Sequence, residues 1–311
     1  MATTKVIADS LDLNLANTTN SFKMPSGTAF SGTPVEGMVR NDTSQSSQSS
    51  ASTMQFYNGT AWKNFVNASS CTTSTLNYPT GVTGTALYEF DGNANSTSSS
   101  SYDAASTANL TYNTSIKRYG TSSAYFNGSN TTINLPVNSF HFSAFTLSCW
   151  VYIPTYPPSE RYTIMSTYDY GTSGPSRGWH LSITGDGKSQ VDLHSGDCGT
   201  PYPADPSCAL YTRITSTNLV PQNTWSHLSL VCGGTGNPVT LYIDGTQEAT
   251  TTMQGLAYAT GATTSIGYMI YSAGGTVYQD NYFGGYIDQL RMYNTALTGT
   301  QIQSLQNEVP C

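Results

Sequence analysis

Residues able to do acid–base or nucleophilic work are few and scattered in this chain. Glutamates stand at 36, 89, 160, 248 and 308, and no two share a strand-length segment. A local pair of carboxylates at the ~5–5.5 Å separation of a retaining glycoside hydrolase is therefore not encoded. His141, His180, His194 and His227 are spread singly. No Gly-x-Ser-x-Gly elbow presents a nucleophile, and no Gly-rich loop ends in Lys-Ser or Lys-Thr to cradle phosphate. Asp192-Leu-His194 puts an acid and an imidazole on one strand face, but without a nucleophile beside them it reads as a surface pair. Cys-x-x-Cys and paired Cys/His spacings are missing, which removes the usual zinc arrangements. The expectation is a protein that is not an enzyme.

Recognition chemistry is better supplied. Sugars offer apolar C–H faces ringed by hydroxyls, so their sites combine aromatic platforms with a few placed polar groups. Tyr168 and Tyr170, leading towards Trp179, then Tyr202, and finally Tyr268, Tyr271, Tyr278 and Tyr282 are the candidate ligand-binding residues. Cys198 and Cys208 bracket a Pro-rich loop that packing alone would not hold, and a disulfide between them is expected. A second bridge, Cys71 to Cys311, would staple the two ends of the sandwich described below. Cys149 and Cys232 lie inside apolar strand patterns, either as two buried small hydrophobes or as a cross-strand bond.

Composition says what scaffold must hold these groups. Only 9% of the 311 residues are charged, against roughly 25% in ordinary soluble domains, whereas Ser, Thr, Asn and Gly abound and Tyr numbers 22. Hydroxyls and amides keep such a chain soluble, and they suit antiparallel strands with polar outer faces and turn-rich connections. The fold class is all-β. With a net charge of −7 and eleven isolated Lys and Arg, there is no basic stripe for nucleic acid or an anionic membrane. No apolar run approaches the ~20 residues of a bilayer span, and the opening Met-Ala-Thr-Thr-Lys-Val-Ile-Ala-Asp-Ser lacks the apolar core of a secretory signal.

Along the chain, residues 1–77 form a first module, 78–85 a linker and 86–311 a second module. In the first, Pro34 to Thr43 reads as a turn feeding a strand. Met54 to Phe65 reads as a hairpin turning at Asn58-Gly59, the pair that tolerates positive φ. So few apolar residues are not expected to close a core alone, which implies an anchoring or oligomerising role. In the second module Phe145, Leu147, Cys149, Val151 and Ile153 alternate with Thr146, Ser148, Trp150 and Tyr152. Leu228, Leu230 and Cys232, then Leu241 and Ile243, repeat the pattern, predicting strands that bury one face and leave the other usable. Tyr286 to Tyr293 reads as a closing strand, followed by a short amphipathic turn carrying Ile302 and Leu305.

Four segments in order carry a resemblance. They are Tyr119 to Asn130, the Trp-bearing Phe145 to Ile153, Trp225 to Cys232 followed by Val239 to the Asp244-Gly245 turn, and the closing Phe283 to Leu297. Together they resemble the laminin-G-like, concanavalin-A-like jelly roll, which implies a two-sheet antiparallel sandwich used for surface recognition. The resemblance also implies Ca²⁺ at its rim, with Asp91 and Asp288 as the carried-over ligands; Asn127 departs from the family's acid. The order Pro-x-x-Gly-Met-Val-Arg, then Phe-Tyr-Asn-Gly-x-x-Trp, in the first module resembles short modules of phage appendage and large-DNA-virus structural proteins. The expectation is a virion surface protein, capsid or tail fibre, whose lectin-like jelly roll decorates the particle or attaches to host glycans. Other virion proteins would be its partners, and its working state a homo-oligomer, with a trimer favoured. The alternatives are a secreted or cell-surface carbohydrate-binding module and, third, a glycoside-active enzyme.

Overall fold

The computed structural model describes residues 39–42, 53–57, 62–64, 79, 81–158, 160–169, 176–196, 211–273 and 276–308. The chain divides into two units, Met1–Thr72 and Thr73–Cys311. In the first, β1 (Val39–Asp42), β2 (Thr53–Tyr57) and β3 (Trp62–Asn64) make a three-stranded antiparallel sheet, with Tyr57 opposite Trp62 across the expected hairpin. The Asn58-Gly59 turn itself lies outside the described residues.

The second unit is a two-sheet sandwich. Its eight-stranded sheet contains β4 (Ala86–Tyr88), β6 (Thr111–Asn113), β7 (Ser123–Asn127), β9 (Phe145–Tyr152), β14 (Trp225–Cys232), β15 (Pro238–Ile243), β16 (Thr246–Thr252) and β20 (Gly284–Tyr293). Across this sheet the order is β16-β15-β14-β9-β20-β7-β6, and β4 pairs with β20. The seven-stranded sheet contains β5 (Ser106–Ala108), β8 (Thr132–Asn134), β10 (Arg161–Ser166), β11 (Arg177–Thr184), β12 (Lys188–Ser195), β13 (Tyr211–Leu219) and β17 (Ser265–Ile266). Here the order is β13-β12-β11-β10-β17-β8-β5. A separate hairpin joins β18 (Met269–Ala273) to β19 (Thr276–Asp280), and one helix, α1 (Gly299–Gln306), ends the fold.

The alternation seen in the sequence places the core. Leu147, Cys149 and Val151 from β9, Leu228 and Leu230 from β14, and Trp179, Leu181 and Ile183 from β11 meet between the sheets. Cys149 and Cys232 are both free and buried there, so the unbonded alternative holds. Burial pushes the Cys149 thiol up to about 12.

The outer face of β9 corrects the expectation of a usable surface. Thr146, Ser148 and Trp150 are buried as well, and only Tyr152 keeps part of its surface in water. The reason is a second layer on this sheet. Val231, Tyr293, Leu297, Ile302 and Leu305 form their own apolar cluster under α1, and Thr146 Oγ1 donates to Thr295 O at 2.9 Å. Further along, the Arg118 guanidinium lies 4.0 Å from the Trp150 ring centroid. The helix starts where its chemistry predicts: Thr298 caps it, with Gln301 completing a capping box.

Candidate functional site on the seven-stranded sheet

The antiparallel register of β11, β12 and β13 brings polar residues from three strands into one row. His180 faces Asp192, and Asp192 faces Arg213. Since side chains alternate, these three stand on the face opposite Leu181, Val191 and Ile214, which go to the core. Arg161 enters from β10. Asp192 Oδ2 accepts from Arg161 Nη1 at 2.8 Å and from Gln190 Nε2 at 3.1 Å. The same carboxylate also accepts from the Tyr211 hydroxyl and from Arg213 Nε.

His180 Nε2 lies 2.8 Å from Asp192 Oδ2 and 2.8 Å from Arg161 Nη1. The guanidinium can only donate, so His180 Nε2 sits between a donor and an acceptor, and its tautomer decides which of the two it bonds. Burial disfavours charge on Asp192, yet His180 and Arg213 outweigh it and hold the acid well below the usual carboxylate range. Burial lowers His180, and it lowers His194 to about 3, with neighbouring His180 adding to the effect. Both imidazoles are therefore neutral at pH 7. A carboxylate held by so many donors is a poor nucleophile or base; its physical role is to fix two guanidiniums and a phenol.

Next to this network runs a track of rings. Tyr278 stacks on Tyr271 with centroids 5.4 Å apart, and Tyr271 meets Tyr168 edge-on at 5.8 Å. Tyr168 lies 4.9 Å from His194, and His194 lies 4.9 Å from Tyr211. The Arg213 guanidinium sits 5.3 Å from the Tyr211 ring centroid. The two ends are open, Tyr278 at 45% exposure and the Arg213 side chain at 39%, while Tyr168 and His194 in the middle are buried. Beside the Tyr278 end, Tyr168, Asp169, Ala262, Tyr271 and Ser272 line a cavity of about 100 Å³. Drug-sized ligands occupy ~300–1,000 Å³, so this cavity admits a substituent, and a larger ligand would lie along the surface.

Of the tyrosines and tryptophan singled out in the sequence, Tyr168, Tyr271 and Tyr278 are brought together in this track. Tyr268 and Tyr282 form a separate stack at 5.7 Å, where Tyr268 is buried and its hydroxyl donates to Asn134 Oδ1. Trp179 is placed differently from its expectation as a rim platform. It is 0% exposed and stacks on Phe145 at 4.8 Å, because it shares its strand face with Leu181 and Ile183. Asp192 and His194 do share a face as expected, but they are buried rather than a surface pair. Tyr170, Tyr202, Cys71, Cys198, Cys208 and Cys311 lie outside the described residues. Arg161, His180, Tyr211 and Arg213 were missed. The polar parity of their strands was visible in the sequence, whereas the register that lines them up was not.

Asp91 and Asp288, the residues expected to hold calcium, both serve one turn. Asp91 Oδ1 accepts from Thr121 N at 2.6 Å and Ser122 N at 2.9 Å, and Asp288 Oδ2 accepts from Arg118 N at 2.8 Å and Tyr119 N at 3.1 Å. Burial raises Asp288 to about 7. Among the described residues no three His, Cys, Asp or Glu side chains gather as a metal-holding group. Each carboxylate gives one oxygen to two backbone N–H groups, and Asp288 Oδ1 has no hydrogen-bond partner among the described residues, so a Ca²⁺ held here would need further oxygens to reach the six to eight it takes.

Two antiparallel sheets, a shared core and a polar face built across consecutive strands define a lectin-like jelly roll. The model of the concanavalin A-like lectin/glucanases superfamily matches residues 127–303, more than half of the chain, and the protein belongs to that family. A search of curated proteins found no match. Among solved structures, the receptor binding domain of botulinum neurotoxin C/D mosaic serotype is similar at 16% identity and TM-score 0.51, covering 72% of this chain and 51% of that one. The botulinum neurotoxin serotype G binding domain is similar at 16% identity and TM-score 0.50, with 72% and 50% covered. This chain thus spans about half the length of those binding domains. Domain 4 of AbnA, a GH43 extracellular arabinanase from Geobacillus stearothermophilus solved with arabinotriose, is similar at 21% identity and TM-score 0.49, covering 72% of this chain and 98% of that one. At these identities the likeness concerns the fold.

Proposed function

We propose that this protein is a non-catalytic glycan-binding jelly roll displayed on a virion surface. The observation that carries the binding half is the ring track from Tyr278 to Tyr211 with the Arg213 guanidinium at its end. Aromatic rings stack on the C–H faces of sugars, and a half-exposed guanidinium suits a carboxylate or hydroxyl, so the preferred ligand carries an acidic sugar. The small cavity beside Tyr271 would take a single substituent of that sugar.

A glycan array probed with the full chain in Ca²⁺ tests this reading. Acidic glycans should be retained, and Tyr278→Ala or Arg213→Ala should weaken retention at least tenfold; an array without hits removes the binding role. The virion half is supported by the motif order of the first unit, and mass spectrometry of purified particles tests it: the chain should be present in stoichiometric amount. Its absence from particles would favour a secreted or cell-surface carbohydrate-binding module.

A further inference from the structure

The other sheet carries an aromatic row that the ring track does not touch. In the eight-stranded sheet, Trp225 on β14 pairs with Tyr152 on β9, Tyr152 pairs with Tyr286 on β20, and Tyr286 pairs with Tyr125 on β7. The four side chains therefore stand side by side on the outer face, one from each of four adjacent strands. Their ring centroids follow at 5.8, 5.7 and 5.0 Å. With strands ~4.8 Å apart, the row is roughly 15 Å long.

It is also open. Tyr125 is 36% exposed, and Tyr152, Trp225 and Tyr286 are half-buried, although Trp150 and His227, one step further along the same face, are buried. The row contains no charged residue. Among the described residues, nothing hydrogen-bonds the three phenol hydroxyls or the indole N–H. Four aromatic side chains in a row, with their polar tips turned to water, support one another across the strands and present a ready stacking surface.

We propose that Trp225, Tyr152, Tyr286 and Tyr125 form a second ligand platform, one that takes a neutral, extended oligosaccharide along the row. Each aromatic side chain has ~150–250 Å² of surface, so at these exposures the row offers no more than about 350 Å². That falls well short of the ~800 Å² per partner that a stable protein interface buries, which argues against a second copy of this chain, and it matches the size of functional patches on monomers. Neighbouring rings are inclined to one another by 62°, 79° and 40°, so the strip is corrugated. Linked sugar rings rotate independently and can follow such a surface, whereas a flat rigid ligand cannot. The absence of charge selects neutral sugars, in contrast to the Arg213 end of the track on the opposite sheet. The inference does not depend on that track.

Titrating the full-length protein with cellohexaose, xylohexaose, mannohexaose and maltohexaose, and with the corresponding disaccharides, tests it by calorimetry and by intrinsic tryptophan fluorescence. At least one hexasaccharide should bind, at least tenfold tighter than its disaccharide. Tyr286→Ala and Trp225→Ala should each weaken it tenfold or more, while Tyr286→Phe, which keeps the ring, should stay within about threefold. If either Ala variant melts below the assay temperature, Tyr125→Ala at the exposed end serves instead, with a loss of at least threefold. No binding of any of the four hexasaccharides overturns the platform. So does binding that Tyr278→Ala abolishes and Tyr286→Ala leaves intact, which would place the sugar on the seven-stranded sheet. A dimer in sedimentation that Tyr286→Ala dissolves would overturn it too, by making a second copy the occupant.

Discussion

At the scale of single residues, Asp192 matters most to the candidate site. It is a buried charge balanced by Arg161 and Arg213, and removing one partner of such a set leaves the others uncompensated. Asp192→Ala should cost about 3–5 kcal/mol in urea unfolding. His194 and His227 set a pH dependence: burial lowers each to about 3, against an unfolded value near 6.5. Between those limits the unfolded chain binds more protons, so their contribution is fully present above pH 6.5 and is lost as pH falls towards 3. Asp288 acts the other way, because its raised value favours the folded state at low pH and that contribution fades as pH rises from 3.8 to about 7. Melting temperature should therefore fall between pH 6.5 and 4, and His227→Asn should flatten the fall, whereas Asp288→Asn should steepen it. The sequence revealed that Asp192 and His194 point the same way, but their burial depends on what lies over the strand, and alternation carries no information about that.

At the scale of elements, β11 depends on the glycine near its start. Gly178 sits at φ +84°, and an added Cβ would come within 2.2 Å of the Thr167 carbonyl oxygen. Gly178→Ala should destabilise by more than about 2 kcal/mol, combining left-handed strain with the clash, and should shift the β11 row that carries His180. On the other sheet Leu305→Ala should cost about 2–5 kcal/mol by opening the cluster beneath α1. Strands β9, β14, β15 and β20 and the helix were legible because each has a clear period and each turn has its own residues; Asp244-Gly245 indeed adopts positive φ at both positions. The aromatic row was legible only in part. Trp225, Tyr152, Tyr286 and Tyr125 come from segments far apart in the chain, and nothing local fixes the register that sets them side by side.

At the scale of the whole molecule, the second unit has its own core, so residues 73–311 expressed alone should fold and melt within a few degrees of the full chain, as followed by circular dichroism. Calcium, expected from the family resemblance, is settled by the same measurement in chelator. A melting temperature that drops would put an ion near Asp91 and Asp288, and an unchanged one leaves both carboxylates to the turn at 118–122. The two free thiols between the sheets have a practical consequence. Cys149 and Cys232 are 0% exposed, and burial keeps the Cys149 thiol protonated at neutral pH, so an alkylating reagent cannot reach or react with it in the native state. Their alkylation would proceed only through openings that separate the two layers. The rate at which peptides bearing these cysteines gain mass thus becomes an internal clock for such excursions, one that reports on the parting of the sheets alone, where calorimetry sees the whole chain at once.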